Sequence, residues 1–327
     1  MKSHLGEFTT KDLFRILGGP LTGLGLFAAL MHAGAALKLL PAPRPALDTE
    51  RTILLHQAQA SRRPHDAEIL LMGDSSCLMD VAARPLGERL GRPVLNLGTF
   101  SFLDLRAYAL LLRQYARANT GRLRAVVLLM HPEALRRVGS EGYYLSALTN
   151  FWNGSDGCRL ERPAGWISCV LAADLFKGRI LSRVLPVPLA GAYGRRYGFS
   201  RDLEDYLSRE HGSAIDPEAE PLQGNAEYRL SPTLEGASRA FRSALPSGAR
   251  LCVGISPAPE HFAGPRYPQL HGELLRQWAE WLQADVVLTE LPPTLPDDWF
   301  VRATHLKESS VPLYTEKVAR ALAPHLR

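Results

Sequence analysis

Three short groups of residues have the types that acyl chemistry on a serine requires. Gly73-Asp74-Ser75 follows an apolar run, Glu68-Ile-Leu-Leu-Met72, and precedes a helix-like stretch. A serine at a strand-to-helix turn is exposed, and its own backbone N–H faces the reacting group. The start of a helix adds positive potential where an oxyanion would form. The plainer reading of the same three letters is that Asp74 or Ser75 only caps the helix. Asn96-Leu97-Gly98 ends the next apolar run. A glycine there lets the backbone approach a substrate and offer a second oxyanion donor; its plainer reading is an ordinary turn. His305, in Phe300-Val-Arg-Ala-Thr-His-Leu306, stands just before the last helical pattern. A serine hydroxyl is a weak nucleophile until a base takes its proton, and an imidazole brought over the sheet can do that.

Such a base needs an acceptor to orient its other ring nitrogen. Arg302, three residues before His305, has no acceptor, and its charge disfavours an imidazolium beside it. Asp297 or Asp298 could take the role if their loop folds back, and a backbone carbonyl is the other option. His131, which stops the third apolar run, is a further candidate for the oxyanion hole, with Asp74 supporting the serine. No metal or organic cofactor is expected. Cys77, Cys158, Cys169 and Cys252 form no Cys-x-x-Cys pair, so a zinc ribbon or thioredoxin-like site is not expected. No Gly-x-Gly-x-x-Gly or P-loop pattern follows a strand-like run. The arginines are scattered, and nucleic acid is not an expected partner.

The elements that must carry these residues alternate. Apolar runs at 68–72, 93–97, 124–130, 250–256 and 285–289 read as strands, and helical spacing covers 103–118, 272–282 and 312–326. Continuous apolar runs suit strands covered on both faces, and alternation with helices gives a parallel α/β sheet. Ligands in such sheets sit beyond the carboxyl ends of the strands. Those ends carry Asp74-Ser75-Ser76, Gly98, His131 and Ser256. The alternation breaks over about 133–246, a large insertion after the third strand with many aromatics, among them Tyr143, Tyr144, Phe151, Trp152, Trp166, Tyr193 and Tyr197. It reads either as a helical subdomain over the sheet edge or as a lid or glycan-contact surface.

The chain has 327 residues, a formal charge of +5, 46% hydrophobic and 22% charged residues. That balance excludes a disordered or collagen-like chain. One long uncharged run, Ile16 to Leu37, excludes a polytopic membrane protein. At about 1.5 Å per residue it is long enough to cross a bilayer core. A single transmembrane helix over 16–40 is therefore expected, after a tail of 1–15 and before a linker of 41–65. A cleaved signal peptide ending near Ala33-Gly34-Ala35 and a buried soluble helix are the competing readings, the latter opposed by the run's many glycines. Lysines and arginines flank the run on both sides, so charge does not orient it. Cys158 and Cys169 would suit a disulfide in an oxidising compartment.

With Gly73-Asp74-Ser75, Gly98 and His305 in this order, residues 66–135 and 249–327 resemble the SGNH/GDSL hydrolase superfamily. The closest likeness is to its membrane-anchored cell-envelope members, such as the DltD-like and AlgJ/AlgX-like acetylation proteins. The resemblance implies a flavodoxin-like three-layer sandwich with a five-stranded parallel sheet. It implies an esterase or O-acyltransferase acting on acyl, above all acetyl, esters of an envelope or exopolysaccharide glycan through an acyl-serine. A bacterial inner-membrane location, with the domain on the periplasmic side, is also implied. So is an integral-membrane acyltransferase or polysaccharide-export partner. Two departures stand out. The family's third block usually supplies an Asn where this chain has Met130-His131-Pro132, and Arg302 stands where the family has Asp. These departures support an alternative, a catalytically inactive relative that binds glycan or serves as a scaffold.

Overall fold

The computed structural model describes residues 9–37, 39, 49–100, 103–136, 145, 148, 149, 151, 152, 188–222 and 227–326. The chain divides into two compact units, Met1–Arg44 with Ser155–Val184, and Pro45–Gly154 with Leu185–Arg327. Cys158, Cys169, Tyr143, Tyr144, Trp166 and the spacer at 41–48 lie outside the described residues.

In the first unit the described element is helix α1, Thr10–Ala36. It starts earlier than the apolar run because Thr9 and Asp12 cap it. The Asp12 carboxylate accepts from the Thr9 hydroxyl at 2.6 Å and the Thr9 N–H at 3.1 Å. The helix thereby takes in Lys11, Asp12 and Arg15, and Gly18, Gly19, Pro20, Gly23 and Gly25 dilute its apolar content. Among the described residues no helix is long and apolar enough to cross a membrane, where a single transmembrane helix over 16–40 was expected. The linker expected at 41–65 contains a helix. Helix α2, Thr49–Ala60, buries Ile53, Leu54, Gln57 and Ala58 in the second unit.

That unit is an α/β fold around the expected five-stranded parallel sheet. Its strands are β1 (Ile69–Gly73), β2 (Val94–Asn96), β3 (Ala125–Met130), β4 (Arg250–Ile255) and, after the short β5 (Ala258–Pro259), β6 (Val286–Val287). They run β2-β1-β3-β4-β6, all parallel. Every residue of β1 and β3 is buried, because helices cover both faces. Leu70, Met72, Val126, Leu128, Leu251 and Val253 pack on one face with helices α5 (Leu105–Ala118), Leu234–Arg242 and Tyr267–Leu282. Ile69, Leu71, Val127, Leu129 and Cys252 pack on the other with α3 (Ser75–Asp80), α4 (Ala83–Leu90) and the closing helix Val311–Leu322. Helix α5 begins where the Asp104 carboxylate accepts from the N–H groups of Arg106 and Ala107. The closing helix has Pro312 in its first turn, where a missing N–H costs nothing.

Strand order reverses between β1 and β3, so a crevice opens at their carboxyl ends. Two short pairs lie beside the sheet: β5 with β7 (Thr294–Leu295), and an antiparallel hairpin of β8 (Phe300–Arg302) with β9 (His305–Leu306). The insertion does follow β3, but it does not fill 133–246. Helix Leu234–Arg242 buries Leu234, Ala237 and Phe241 against the sheet's helices and is an ordinary crossover element.

Candidate active site

The turn after β1 explains its three letters. A Cβ on Gly73, whose φ is +149°, would sit 1.7 Å from the Leu129 carbonyl oxygen of β3. Asp74 caps α3: its Oδ1 accepts from the Ser76 N–H at 3.1 Å and lies 2.7 Å from the Ser76 hydroxyl. Its Oδ2 accepts from the His131 N–H at 3.0 Å, which ties the ends of β1 and β3 together. The Ser76 hydroxyl also lies 2.8 Å from Ser256 Oγ, at the end of β4. Burial pushes the Asp74 carboxyl above its usual range, against the pull of these hydrogen bonds. The capping reading therefore holds for Asp74, and it leaves Ser75 free to point elsewhere.

Ser75 Oγ lies 2.7 Å from His305 Nε2. His305 is carried there by the β8–β9 hairpin, and the Leu306 N–H beside it donates to Asp80 Oδ1 at 2.9 Å. Asp80 is fully buried, and that burial raises its carboxyl well above the usual range. On the far side of the ring, His305 Nδ1 lies 2.5 Å from Asp216 Oδ2. Ser75, His305 and Asp216 are thus one hydrogen-bonded line, with Ser75 9%, His305 8% and Asp216 3% exposed.

Neither Asp297 nor Asp298 takes this place. Asp297 accepts from the His261 N–H at 3.0 Å and faces the His261 ring, and Asp298 is exposed on the same turn. Their turn packs against the helix Glu260–Ala263. The acid comes instead from the insertion, through a segment stapled residue by residue to the sheet unit. Gln57 of α2 donates to the Gly212 carbonyl at 3.0 Å. The Ser213 hydroxyl donates to the Val81 carbonyl and accepts from the Ala83 N–H and the Asn96 side chain. The Ala214 N–H donates to the Leu78 carbonyl, and the Tyr197 hydroxyl lies 3.0 Å from both the N and the O of Ile215. Asp216 follows. Burial alone would raise its carboxyl, yet the His305 hydrogen bond and charge, the Glu218 N–H and Arg302 together hold it below its usual value.

Gly98 occupies the expected loop but does not present a free donor. Its N–H donates to Asn96 Oδ1 at 2.8 Å, and a Cβ there would meet the Leu78 backbone at 2.9 Å. Its glycine identity answers close packing on α3. His131 is placed differently. Its Nδ1 accepts from the Glu133 N–H at 3.2 Å, so in the neutral ring the proton sits on Nε2. That Nε2 is buried and has no hydrogen-bond partner among the described residues. Burial, reinforced by the nearby His305, pushes His131 down to about 3, so it stays a neutral donor across the ordinary pH range.

Among the described residues no cluster of His, Cys, Asp and Glu is arranged to hold a metal ion. Compared with models of known protein families and with curated proteins, the chain matches neither. Sequence reasoning missed Asp216, whose only local mark is an Asp-Pro pair inside a polar stretch of the insertion. It also read Arg302 only as an obstacle.

Proposed function

We propose that the protein is a serine esterase or O-acyltransferase with a flavodoxin-like SGNH-type domain. It acts on acyl esters, acetyl above all, of a cell-envelope or exopolysaccharide glycan. The observation that carries this reading is the continuous line Ser75–His305–Asp216. An activated serine, its base and the base's orienting carboxylate, within hydrogen-bond reach, are what acyl transfer needs. His305 Nε2 takes the Ser75 proton as Oγ bonds to the ester carbonyl carbon. The tetrahedral oxyanion accepts hydrogen bonds from the Ser75 N–H and the His131 Nε2–H. The C–O bond to the alcohol breaks, and the leaving oxygen takes the proton from His305. Water or a glycan hydroxyl then gives a proton to His305 as it attacks the acyl carbon; the bond from that carbon to Ser75 Oγ breaks, and Oγ takes the proton back from His305. Asp216 holds the Nδ1 proton and stabilises the imidazolium in both halves.

A non-catalytic glycan-binding or scaffold role is weakened by the carboxylate at His305, since the absent acid was a main support for it. Partnership with an integral-membrane acyltransferase or an export assembly, at the periplasmic face of a bacterial inner membrane, rests on the resemblance. It is also supported by the apolar side chains that α1 exposes, among them Phe14, Ile16, Leu21 and Leu30. Cell fractionation tests that location.

The test of the reaction is intact-mass spectrometry of the full-length chain with a fluorophosphonate, alongside p-nitrophenyl acetate turnover. One phosphonyl adduct is expected, absent in Ser75→Ala and strongly slowed in His305→Ala. A folded wild-type chain that neither labels nor turns over removes the catalytic reading.

A further inference from the structure

The guanidinium that stands in place of the expected acid is bound to the acid that replaces it. Arg302 and His305 are cross-strand partners in the β8–β9 hairpin. Both reach the same atom: Arg302 Nε and His305 Nδ1 each lie 2.5 Å from Asp216 Oδ2. Arg302 Nη2 reaches Asp216 Oδ1 at 3.3 Å and Glu218 Oε2 at 2.9 Å, and its Nη1 lies 3.3 Å from Glu220 Oε2. The backbone follows the same path. The Glu218 N–H donates to Asp216 Oδ1, and the Glu220 N–H donates to the Val301 carbonyl of β8 at 2.7 Å. Three carboxylates spaced two residues apart on the insertion thus close on one guanidinium of the hairpin. The pairing is half-buried: the Arg302 side chain is 22% exposed and that of Asp216 is 1% exposed.

We propose that Arg302 is a positioning residue of this active site: it docks the acidic segment 216–220 of the insertion on the β8–β9 hairpin and so delivers Asp216 to His305. This rests on the catalytic reading given above. Without the guanidinium, Asp216, Glu218 and Glu220 would repel one another beside a buried ring, with Asp80 and Tyr193 adding no cation on that side. A planar fork can hold several carboxylate oxygens at once, which an ammonium cannot. Because the acid arrives on an insertion rather than on the hairpin, the line is complete only while that segment is docked.

The groups that face Asp216 are His305, Arg302, Glu218 and, at longer range, Glu220, Tyr193 and Asp80. Arg302 is the one permanent cation among them. Arg302→Gln should release Asp216 from His305, and the imidazolium then loses its counter-charge, so the acid limb of kcat/KM should move to lower pH. Losing the arginine's charge with Asp216 still docked would move it to higher pH and would overturn the inference. A merely structural role would lower stability or rate and leave that limb in place.

The experiment compares wild type, Arg302→Gln and Arg302→Lys as full-length chains, using p-nitrophenyl acetate kinetics from pH 4 to 9 and the fluorophosphonate labelling rate. Arg302→Gln is expected to lose about 10–100-fold in kcat/KM, in the range of a misplaced catalytic group. Its acid limb should fall by about one pH unit, as expected when a carboxylate beside a titrating cation is lost. Arg302→Lys should keep the acid limb near wild type and lose part of the rate, since it keeps the charge and loses the fork. The inference is overturned if Arg302→Gln labels at the wild-type rate with an unmoved limb. Should Arg302→Gln fail to fold, Arg302→Lys decides, and a wild-type rate there overturns the inference. Ser75→Ala, run in parallel, separates the two levels. An unlabelled wild type sinks the catalytic reading itself, whereas a labelled wild type beside an unaffected Arg302→Gln sinks only this inference.

Discussion

Replacing Asp216 by asparagine changes one atom and should disable the base. In the wild type, Asp216 Oδ1 faces two donors, the Glu218 N–H at 3.0 Å and Arg302 Nη2 at 3.3 Å. Oδ2 faces His305 Nδ1, and Arg302 Nε lies beside it without hydrogen-bond geometry. An asparagine has one oxygen and one NH2. Its oxygen belongs on the side of the two fixed donors, because neither the Glu218 amide nor Arg302 can become an acceptor. The NH2 then faces His305, the partner whose tautomer can change. His305 would put its proton on Nε2 and donate to Ser75 instead of accepting from it. The serine loses its base and the imidazolium loses its counter-charge. In the worked case of a serine–histidine–aspartate site, this change costs about 10⁴-fold in kcat, and at 1.36 kcal/mol per tenfold that is about 5.4 kcal/mol of barrier. A loss of about 10³–10⁴-fold in p-nitrophenyl acetate turnover is therefore expected for Asp216→Asn, with circular dichroism unchanged and KM within a few-fold. Asp297→Asn and Asp298→Asn should stay within about twofold of wild type, because Asp297 serves His261 and Asp298 is exposed. If Asp216→Asn keeps turnover within tenfold of wild type, the tautomer argument is wrong and Asp216 is a structural neighbour of His305.

His131→Leu should lower kcat by about 10²–10³-fold with little change in KM, the usual cost of one oxyanion donor; His131→Asn, which can still donate, should recover part of it in the same assay. Gly73→Ala should give no folded protein, measured as soluble yield and circular dichroism, because its Cβ would lie 1.7 Å from the Leu129 carbonyl oxygen. Asp80→Asn should be more stable than wild type at neutral pH. The buried Asp80 holds its proton above the pH at which the unfolded carboxyl, near 3.9, gives its own up. Wild-type stability therefore falls relative to the variant by about 1.36 kcal/mol per pH unit above about pH 4, until the folded group ionises. Urea melts at pH 4 and pH 7 check this, and a difference that does not grow with pH refutes it.

What the sequence made legible was whatever depends on short-range pattern. The runs ending at Met72, Leu97, Met130 and Ser256 correspond to β1 to β4, because a strand buried on both faces must be apolar throughout. The edge strand β6 is shorter than its apolar run, since it pairs with β4 only at Val286 and Val287. Ser75 and His305 were legible as a pair because each sits beside a strand end that the topology brings to one crevice. Gly98 was placed correctly in the fold, but its N–H goes to Asn96, two residues back, and nothing in the spacing of Asn96-Leu97-Gly98 distinguishes a free amide from a capped one. Helix α1 starts earlier than its apolar run because that run does not reveal the Thr9–Asp12 cap.

Asp216 was illegible for a different reason. Its position depends on contacts from α2, α3, α4 and β2, through Gln57, Leu78, Val81, Ala83 and Asn96, none of which shares a local pattern with it. Arg302 carried more information than its first reading extracted. A cation beside an imidazole base is unfavourable alone, so its presence next to His305 required an anion close to both. The same reasoning explains why an acid at 302 and an acid at 216 exclude each other. Asp216 already stands with Glu218 and Glu220 at the hairpin, and a fourth carboxylate at 302 would force one of them to keep a proton. The arginine at 302 and the acid at 216 are therefore complementary: the hairpin supplies the cation, and the insertion supplies the carboxylate that it holds beside His305.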